Sequence, residues 1–321
     1  MARHPRPRGT PRTQRGAALL TAMIIVTLVA TLASSMVWQQ WRAVQVESAE
    51  RARTQAAWVL SGALDFARLI LREDQRSGRP TALTEPWATP LAESRLSTFL
   101  AVDKANAEDG PEAFLSGQIT DAQGRYNLTN LITNNAIDPN EQATLERLCQ
   151  SVSIDASVAV RIATGLRDAM GAASGGTSSA TAPLLPRTFD QLAWLGVDVG
   201  SLAALRPFVV LLPTPMPLNV NTAPREVLAA VIKGLDLATA ERLVQMRQSQ
   251  PFKDPGSFTA QLNVVGPLTA KLDVRSSYFE VRGRLRLADR VLVEQSLVWR
   301  NGAQIVVLQR ERLSSVEAAG S

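Results

Sequence analysis

The sequence predicts an α+β protein. A long N-terminal helix, transmembrane in its first half and amphipathic in its second, packs on an antiparallel sheet, with further helices between the strands. Three observations lead there: an uncharged apolar run that passes into a 3.6-residue periodicity, a middle third built of helix start and stop signals, and a C-terminal stretch that switches to period two. The chain has 321 residues, 45% hydrophobic and 20% charged, which is the composition of a globular rather than a disordered or fibrous protein.

The first helix is announced by its flank. Arg3, Arg6, Arg8, Arg12 and Arg15 precede it without an acidic residue among them. The net charge of +5 is carried by these five, so the rest of the chain is neutral and has no basic face for nucleic acid. From Ala17 to Trp41 no residue is charged, a run longer than the ~20 residues that cross a bilayer as a helix. A cleaved secretory signal has an apolar region of only about 7–15 residues; a signal anchor and a prepilin-like leader, cut before the apolar segment, are the other readings. In each, positive charge stays cytoplasmic and the body faces the other side. Trp38 and Trp41 then fall at the far interface or pack on the body. Beyond the membrane Ala49, Ala52, Ala56, Val59, Ala63, Phe66 and Ile70 recur in steps of three and four, and Gly78 and Pro80 mark the stop.

Chemistry is limited by what is missing. One cysteine, Cys149, excludes an internal disulfide framework and any zinc site with two or more cysteine ligands. One histidine, His4, lies in the basic tail, which excludes Ser-His-Asp, Cys-His and multi-histidine metal chemistry unless His4 itself takes part. Glu73–Asp74 and Glu108–Asp109 fall in loop-like stretches without an apolar pocket or metal partner, so no acid/base catalysis and no enzyme is predicted.

A short basic leader ending in Gly16, followed by a long apolar helix that turns amphipathic, resembles type IV pilins and the pseudopilins of type II secretion. The resemblance implies that a prepilin peptidase cuts between Gly16 and Ala17 and methylates the new N-terminus. Most of that family carries glutamate at the fifth mature position; Thr21 stands there. An acidic residue at a helix centre in lipid costs about 2.5–3.5 kcal/mol, tolerable when it pairs with a neighbour's terminal amine. A subunit without it suits the topmost place of a filament. The member that lacks it is minor pseudopilin K, the general secretion pathway protein K family.

That resemblance implies a pilin-like core, a helix on an antiparallel sheet, with a large all-α domain inserted. The elements divide accordingly. Ser116–Ile132 alternates around a turn at Asp121–Gly124 and reads as two short strands. Asp138, Pro139 and Glu141 open a helix. Ile154–Leu166 is a second helix; Thr188 with Gln191 opens a third that ends at Gly196. In LNVNTAPREVLAAVIKG, Thr222 caps a helix over Ala223–Lys233, closed by Gly234, and Leu237–Arg247 follows. The NVNTAP segment resembles the asparagine-asparagine-threonine-alanine signature of the family. Phe279, Val281, Leu285 and Leu287 alternate with Glu280, Arg282, Arg284 and Arg286 in a strand that turns at Ala288–Asp289. Arg290–Arg300 is its partner, and Asn301–Gly302 is a hairpin signal before Ala303–Gln309. The boundaries are a leader at 1–16, a transmembrane helix at 17–41, its amphipathic extension at 42–80, the first part of the core at 81–134, the inserted helical domain at 135–270 and the C-terminal strands at 271–321.

The resemblance further implies minor pseudopilins I and J as partners in a tip complex, contact with other pseudopilins and the secretion machinery, and a single-pass inner-membrane protein whose N-terminus is cytoplasmic and whose body is periplasmic. Such a subunit helps to initiate a periplasmic pseudopilus that exports folded proteins. It also implies several carboxylates binding calcium near Gly171–Ala182. Only Asp168 and Asp190 flank that loop, against the six to eight oxygens calcium takes, so they are weak candidates and no cofactor is assigned. The alternative is a membrane-anchored DNA-uptake protein, because the paired helices around Gly234 resemble a helix-hairpin-helix module. In Gly234-Leu235-Asp236 an aspartate replaces the second glycine, and in Gly266-Pro267-Leu268 proline removes an N–H; no nucleic acid is expected. The Arg282, Arg284, Arg286 row is either a docking stripe or the solvated face of an outer strand, and Cys149 is a small buried hydrophobe.

Overall fold

The computed structural model describes residues 15–96, 113–173, 182–262, 271–287 and 290–313. The leader before Arg15, residues 174–181 of the small-residue loop, Glu108–Asp109, Gly266-Pro267-Leu268 and the Ala288–Asp289 turn lie outside these. The chain divides into two compact units, Met1–Trp58 and Val59–Ser321.

In the first unit the described residues belong to α1, Arg15–Arg76, a helix of 62 residues that continues into the second. Its apolar side chains stand fully exposed: Leu20 at 63%, Ile24 at 61% and Val29 at 57%. Such a surface needs lipid or other helices around it. The polar side chains along it are turned back onto the helix. Thr21 Oγ1 donates to Ala17 O at 2.5 Å, Thr27 Oγ1 to Met23 O at 3.0 Å, Thr31 Oγ1 to Leu28 O at 2.9 Å and Ser35 Oγ to Leu32 O at 2.7 Å. Each hydroxyl is thereby satisfied without water, as a membrane interior requires.

The strands of the second unit are β1 (Leu91–Arg95), β2 (Ala113–Asp121), β3 (Tyr126–Asn127), β4 (Ile132–Thr133), β5 (Ala136–Ile137), β6 (Val209–Val210), β7 (Leu218–Asn219), β8 (Leu272–Asp273), β9 (Tyr278–Leu287), β10 (Arg290–Asn301) and β11 (Gln304–Leu313). The main sheet is antiparallel in the order β1-β2-β9-β10-β11. The three C-terminal strands form as their alternation requires, and Gly302 takes φ +54° in the tight turn between β10 and β11. One face of the sheet receives the last part of α1. Leu64, Ala67 and Leu71 pack there with Trp87, Ile119, Phe279, Val281, Val298 and Ile305. The Trp87 and Phe279 rings meet edge-on at 5.3 Å.

Ala56 of the expected stripe of α1 is buried, but from there on the stripe is shifted by a residue: Leu60, Leu64, Ala67 and Leu71 are buried, whereas Val59, Ala63 and Ile70 are half-buried and Phe66 is 46% exposed. Both sets have helical spacing, and the sheet decides between them: Gly283 leaves room for Leu60, whose Cδ2 would lie 3.1 Å from an added Cβ. Glu73 and Asp74 are in the last turns of this helix rather than in a loop. Asp74 forms a buried ion pair with Arg300 at 2.8 Å, the side chains 7% and 8% exposed.

The helices given next lie in the chain between β2 and β9, two strands that pair along their length. They are Pro139–Ser151, Ala156–Ala173, Val199–Leu205, Arg225–Val231, Leu237–Ser249 and Pro255–Thr259. Asp138 caps the first as expected, its carboxylate accepting from Asn140 and Glu141 N–H. The second begins at Ala156 rather than Ile154. Their core gathers Leu128, Leu145, Leu148, Ile162, Val227 and Phe258 among others. Cys149 is fully buried in it, and burial pushes its thiol up to about 11.

Three further expectations are corrected. Asp121–Gly124 does not close a hairpin: it is a 3-10 turn after which the chain leaves the main sheet, and β3 pairs in parallel with β6. The hairpin nearby is β4–β5, turned by Asn134 and Asn135 at φ 52° and 60°. The segment opened by Thr188 is a 3-10 helix, Asp190–Leu195; only the reverse arm of the capping box forms, with Gln191 Oε1 accepting from Arg187 and Thr188 N–H, and Gly196 ends it at φ +79°. Thr222 caps nothing, since the next helix starts at Arg225 after Pro224.

Candidate functional site

Two places carry the residues singled out from the sequence: the start of α1, and the junction where the helical region joins the sheet.

At the start of α1 the Gly16–Ala17 bond lies in the first helical turn, whose amide N–H groups have no partner further down and which frays most easily. Thr21 follows one turn later, its hydroxyl bound to Ala17 O. From Ala17 to Val46 there is no carboxylate; Glu47 is the first, paired with Arg51. No charge along the apolar helix therefore calls for a partner in lipid.

At the junction, Asp121 ends β2 and is 4% exposed. Its Oδ2 accepts from Ser276 Oγ and Thr222 Oγ1, both at 2.6 Å, and from Asn219 Nδ2 at 2.9 Å. Its Oδ1 accepts from Gln123 N–H at 2.8 Å. Burial raises the pKa of this carboxyl above its ordinary value, and the four donors oppose that shift. Asn219 Nδ2 also donates to Thr81 O at 3.0 Å. Two residues on, Asn221 closes a pair with the Phe252 backbone, donating to its O and accepting from its N–H, both at 2.9 Å. Between them Arg247 Nη1 donates to Val220 O at 2.5 Å, and burial brings this guanidinium down to about 10. The NVNTAP segment is thus a two-sided clip: Asn219 and Thr222 hold β2 and the strand-leading Ser276, Asn221 holds the helices. A neighbouring ion pair reinforces it, for Arg300 donates to Thr81 Oγ1 at 2.8 Å and to Ser276 O at 2.5 Å.

The motif was visible in the sequence, yet Asp121 and Ser276 as its partners were not. A lone aspartate at a strand end reads as a turn residue, and nothing local ties it to positions some hundred residues away.

The weak calcium candidates are engaged otherwise. Asp168 is paired with Arg167 at 2.7 Å, and Asp190 with Arg206. Among the described residues no three histidine, cysteine, aspartate or glutamate side chains come together. These donors do not make a site for an ion that wants six to eight oxygens. At the hairpin of helices, Gly234 adopts φ +86°, and Asp236 caps Leu237–Ser249 by accepting from Thr239 N–H at 2.8 Å. A carboxylate therefore occupies the helix N-terminus where a phosphate would bind. Arg284 and Arg286 lie on the central strand β9 rather than an outer one, and both pair with Glu93 of β1, at 3.2 and 2.6 Å. Arg282 remains exposed.

A long helix whose last part packs on an antiparallel sheet, a helical region set between two of its paired strands and a clip at the joint make up an α+β fold with an inserted helical region. Two family models, both described as type II secretion system protein K, match residues 124–214 and 218–281. The type II secretion system protein K of Pseudomonas aeruginosa is 28% identical, over 94% of this chain and 93% of its own. That of Dickeya chrysanthemi is 27% identical, over 94% of this chain and 97% of its own. A chain of the solved GspK-GspI-GspJ complex from the enterotoxigenic Escherichia coli type 2 secretion system has the same fold, with a TM-score of 0.64 at 22% identity, covering 83% of this chain and 99% of that one. Over those residues, and at this level of identity along most of its length, the chain is similar to the type II secretion system protein K family.

Proposed function

We propose that the chain acts as minor pseudopilin K of a type II secretion system. Prepilin peptidase removes the leader between Gly16 and Ala17, the helix from Ala17 anchors the subunit in the inner membrane, and the body faces the periplasm. There it joins minor pseudopilins I and J at the tip of the pseudopilus, its part mechanical rather than catalytic. Residues 135–270 serve as the broad inserted domain that crowns the filament.

The observation that carries this reading is the uncharged helix with Thr21 closed on its own backbone. A subunit whose apolar helix presents no anion asks for no cationic neighbour above it, and so fits a first position. The solved relative bound to I and J supports the choice of partners.

The test begins with mass spectrometry of the mature protein, which should find Ala17 at the N-terminus. Gly16→Glu should leave an uncut, membrane-retained precursor. An intact leader in wild type, or a cut after Ala33, rules the reading out. Co-purification with I and J from cells expressing all three should succeed for the processed protein.

A further inference from the structure

The outer face of the main sheet, turned away from α1, forms with the helical region a cleft of about 470 Å³, within the range of ligand sites. Nothing above gives it a task.

Its floor is polar and ordered by strand register. Gln118, Arg282 and Gln295 lie abreast on β2, β9 and β10; Thr120 and Glu280 form the next row. The amides of Gln118 and Gln295 make no side-chain hydrogen bond to the described residues. The wall is Arg187, Phe189 and Arg206, with Arg206 over the Phe189 ring at 4.8 Å.

The charges do not cancel. Arg206 is taken by Asp190. Arg125 Nη2 lies 2.7 Å from Glu280 Oε1 but out of line for a hydrogen bond, and its Nε is closed off from solvent without an acceptor among the described residues. Arg187 and Arg282 have no ion-pair partner among those residues. The remaining acid, Glu311, lies two strands from Arg282 and accepts from Gln309 at 2.6 Å. The cleft thus offers two uncommitted guanidiniums to carboxylates. Beside them stand glutamine amides, each able to donate and accept as a peptide backbone does.

We propose that this cleft docks an extended acidic segment of a partner protein, its carboxylates on Arg187 and Arg282 and its backbone on Gln118 and Gln295. The proposal goes beyond the filament role and does not depend on where in the filament the chain sits.

Fluorescence anisotropy on the full chain in nonionic detergent tests it, with a labelled peptide of alternating glutamate and aspartate and a lysine peptide of equal length as probes. The acidic peptide should bind, the lysine peptide should not, and raising salt to about 300 mM should weaken binding. Arg187→Glu with Arg282→Glu should cost about tenfold or more in affinity, while Arg187→Lys with Arg282→Lys retains most of it. Circular dichroism of each variant verifies the fold; if the reversal variant misfolds, Gln118→Ala with Gln295→Ala replaces it and should weaken binding. No binding of the acidic peptide, equal binding of the lysine peptide, an unchanged affinity in a folded reversal variant, or succinate competing as well as the peptide would each overturn the proposal.

Discussion

At the scale of single residues, Asp121 bears the most. Four donors converge on a carboxyl group whose burial raises its pKa and whose hydrogen bonds oppose that rise. Asp121→Ala takes from Thr222 and Ser276 their closest acceptor, while Asn219 keeps Thr81 O, and should cost about 2–4 kcal/mol, read as a lower denaturation midpoint. The pH dependence has a definite sign. A folded-state pKa raised above the ordinary 3.8 means the native state holds the proton more tightly than the unfolded chain. Stability therefore falls as pH rises from about the ordinary value through the raised one. Asp121→Asn cannot titrate, so the advantage of wild type over this variant should shrink across that window and stay level above it. Unfolding curves of both proteins over an acid series measure the difference; a gap that widens with rising pH would contradict the assignment. Thr222 shows why the site was only half legible. Its sequence context, just before proline and a helical run, is that of a cap, and the local signal carries no information about a buried carboxylate on another strand.

Among the elements, signals confined to a few neighbours were readable and signals settled by packing were not. The cap at Asp138, the glycine stops at Gly78 and Gly196, and the Asn301–Gly302 hairpin are written within four or five residues each, whereas the helix before Gly234 ends earlier, at Val231. The stripe of α1 is not, because leucines and alanines at two adjacent phases satisfy the same period, and the choice falls to the space above Gly283. Two glycines separate these cases experimentally. Gly62 sits inside α1 with nothing near an added Cβ, so Gly62→Ala should stabilise by roughly 0.5–1 kcal/mol through helix propensity alone. A Cβ added at Gly124 would lie 2.7 Å from Thr222 Oγ1 and 3.1 Å from the Thr222 carbonyl carbon. Gly124→Ala pushes against backbone within the clip and should destabilise by about 1–3 kcal/mol. Opposite shifts in thermal midpoint would bear this out; a neutral Gly124→Ala would show that the clip yields.

For the molecule as a whole, the α+β plan and the order of its parts were open to reading, since an apolar run, a helical middle and a period-two end each extend over tens of residues. The route of the chain through the joint was not, because β3, β6, β7 and β8 are two-residue strands whose parallel pairings leave no periodicity. That joint has a mechanical meaning. The helical region is tethered at both ends to β2 and β9, whose ladder starts at the pair Asp121 and Phe279. A tug on that region reaches the open mouth of the ladder and would peel its bonds in sequence, the weak direction of a sheet. Asp121, bound across the mouth to Asn219, Thr222 and Ser276, is the rivet at the fork. Optical-tweezer traces with one handle in the helical region and one on β11 should show rupture at clearly lower force for Asp121→Ala, because its bonds bridge the place where the tearing would begin.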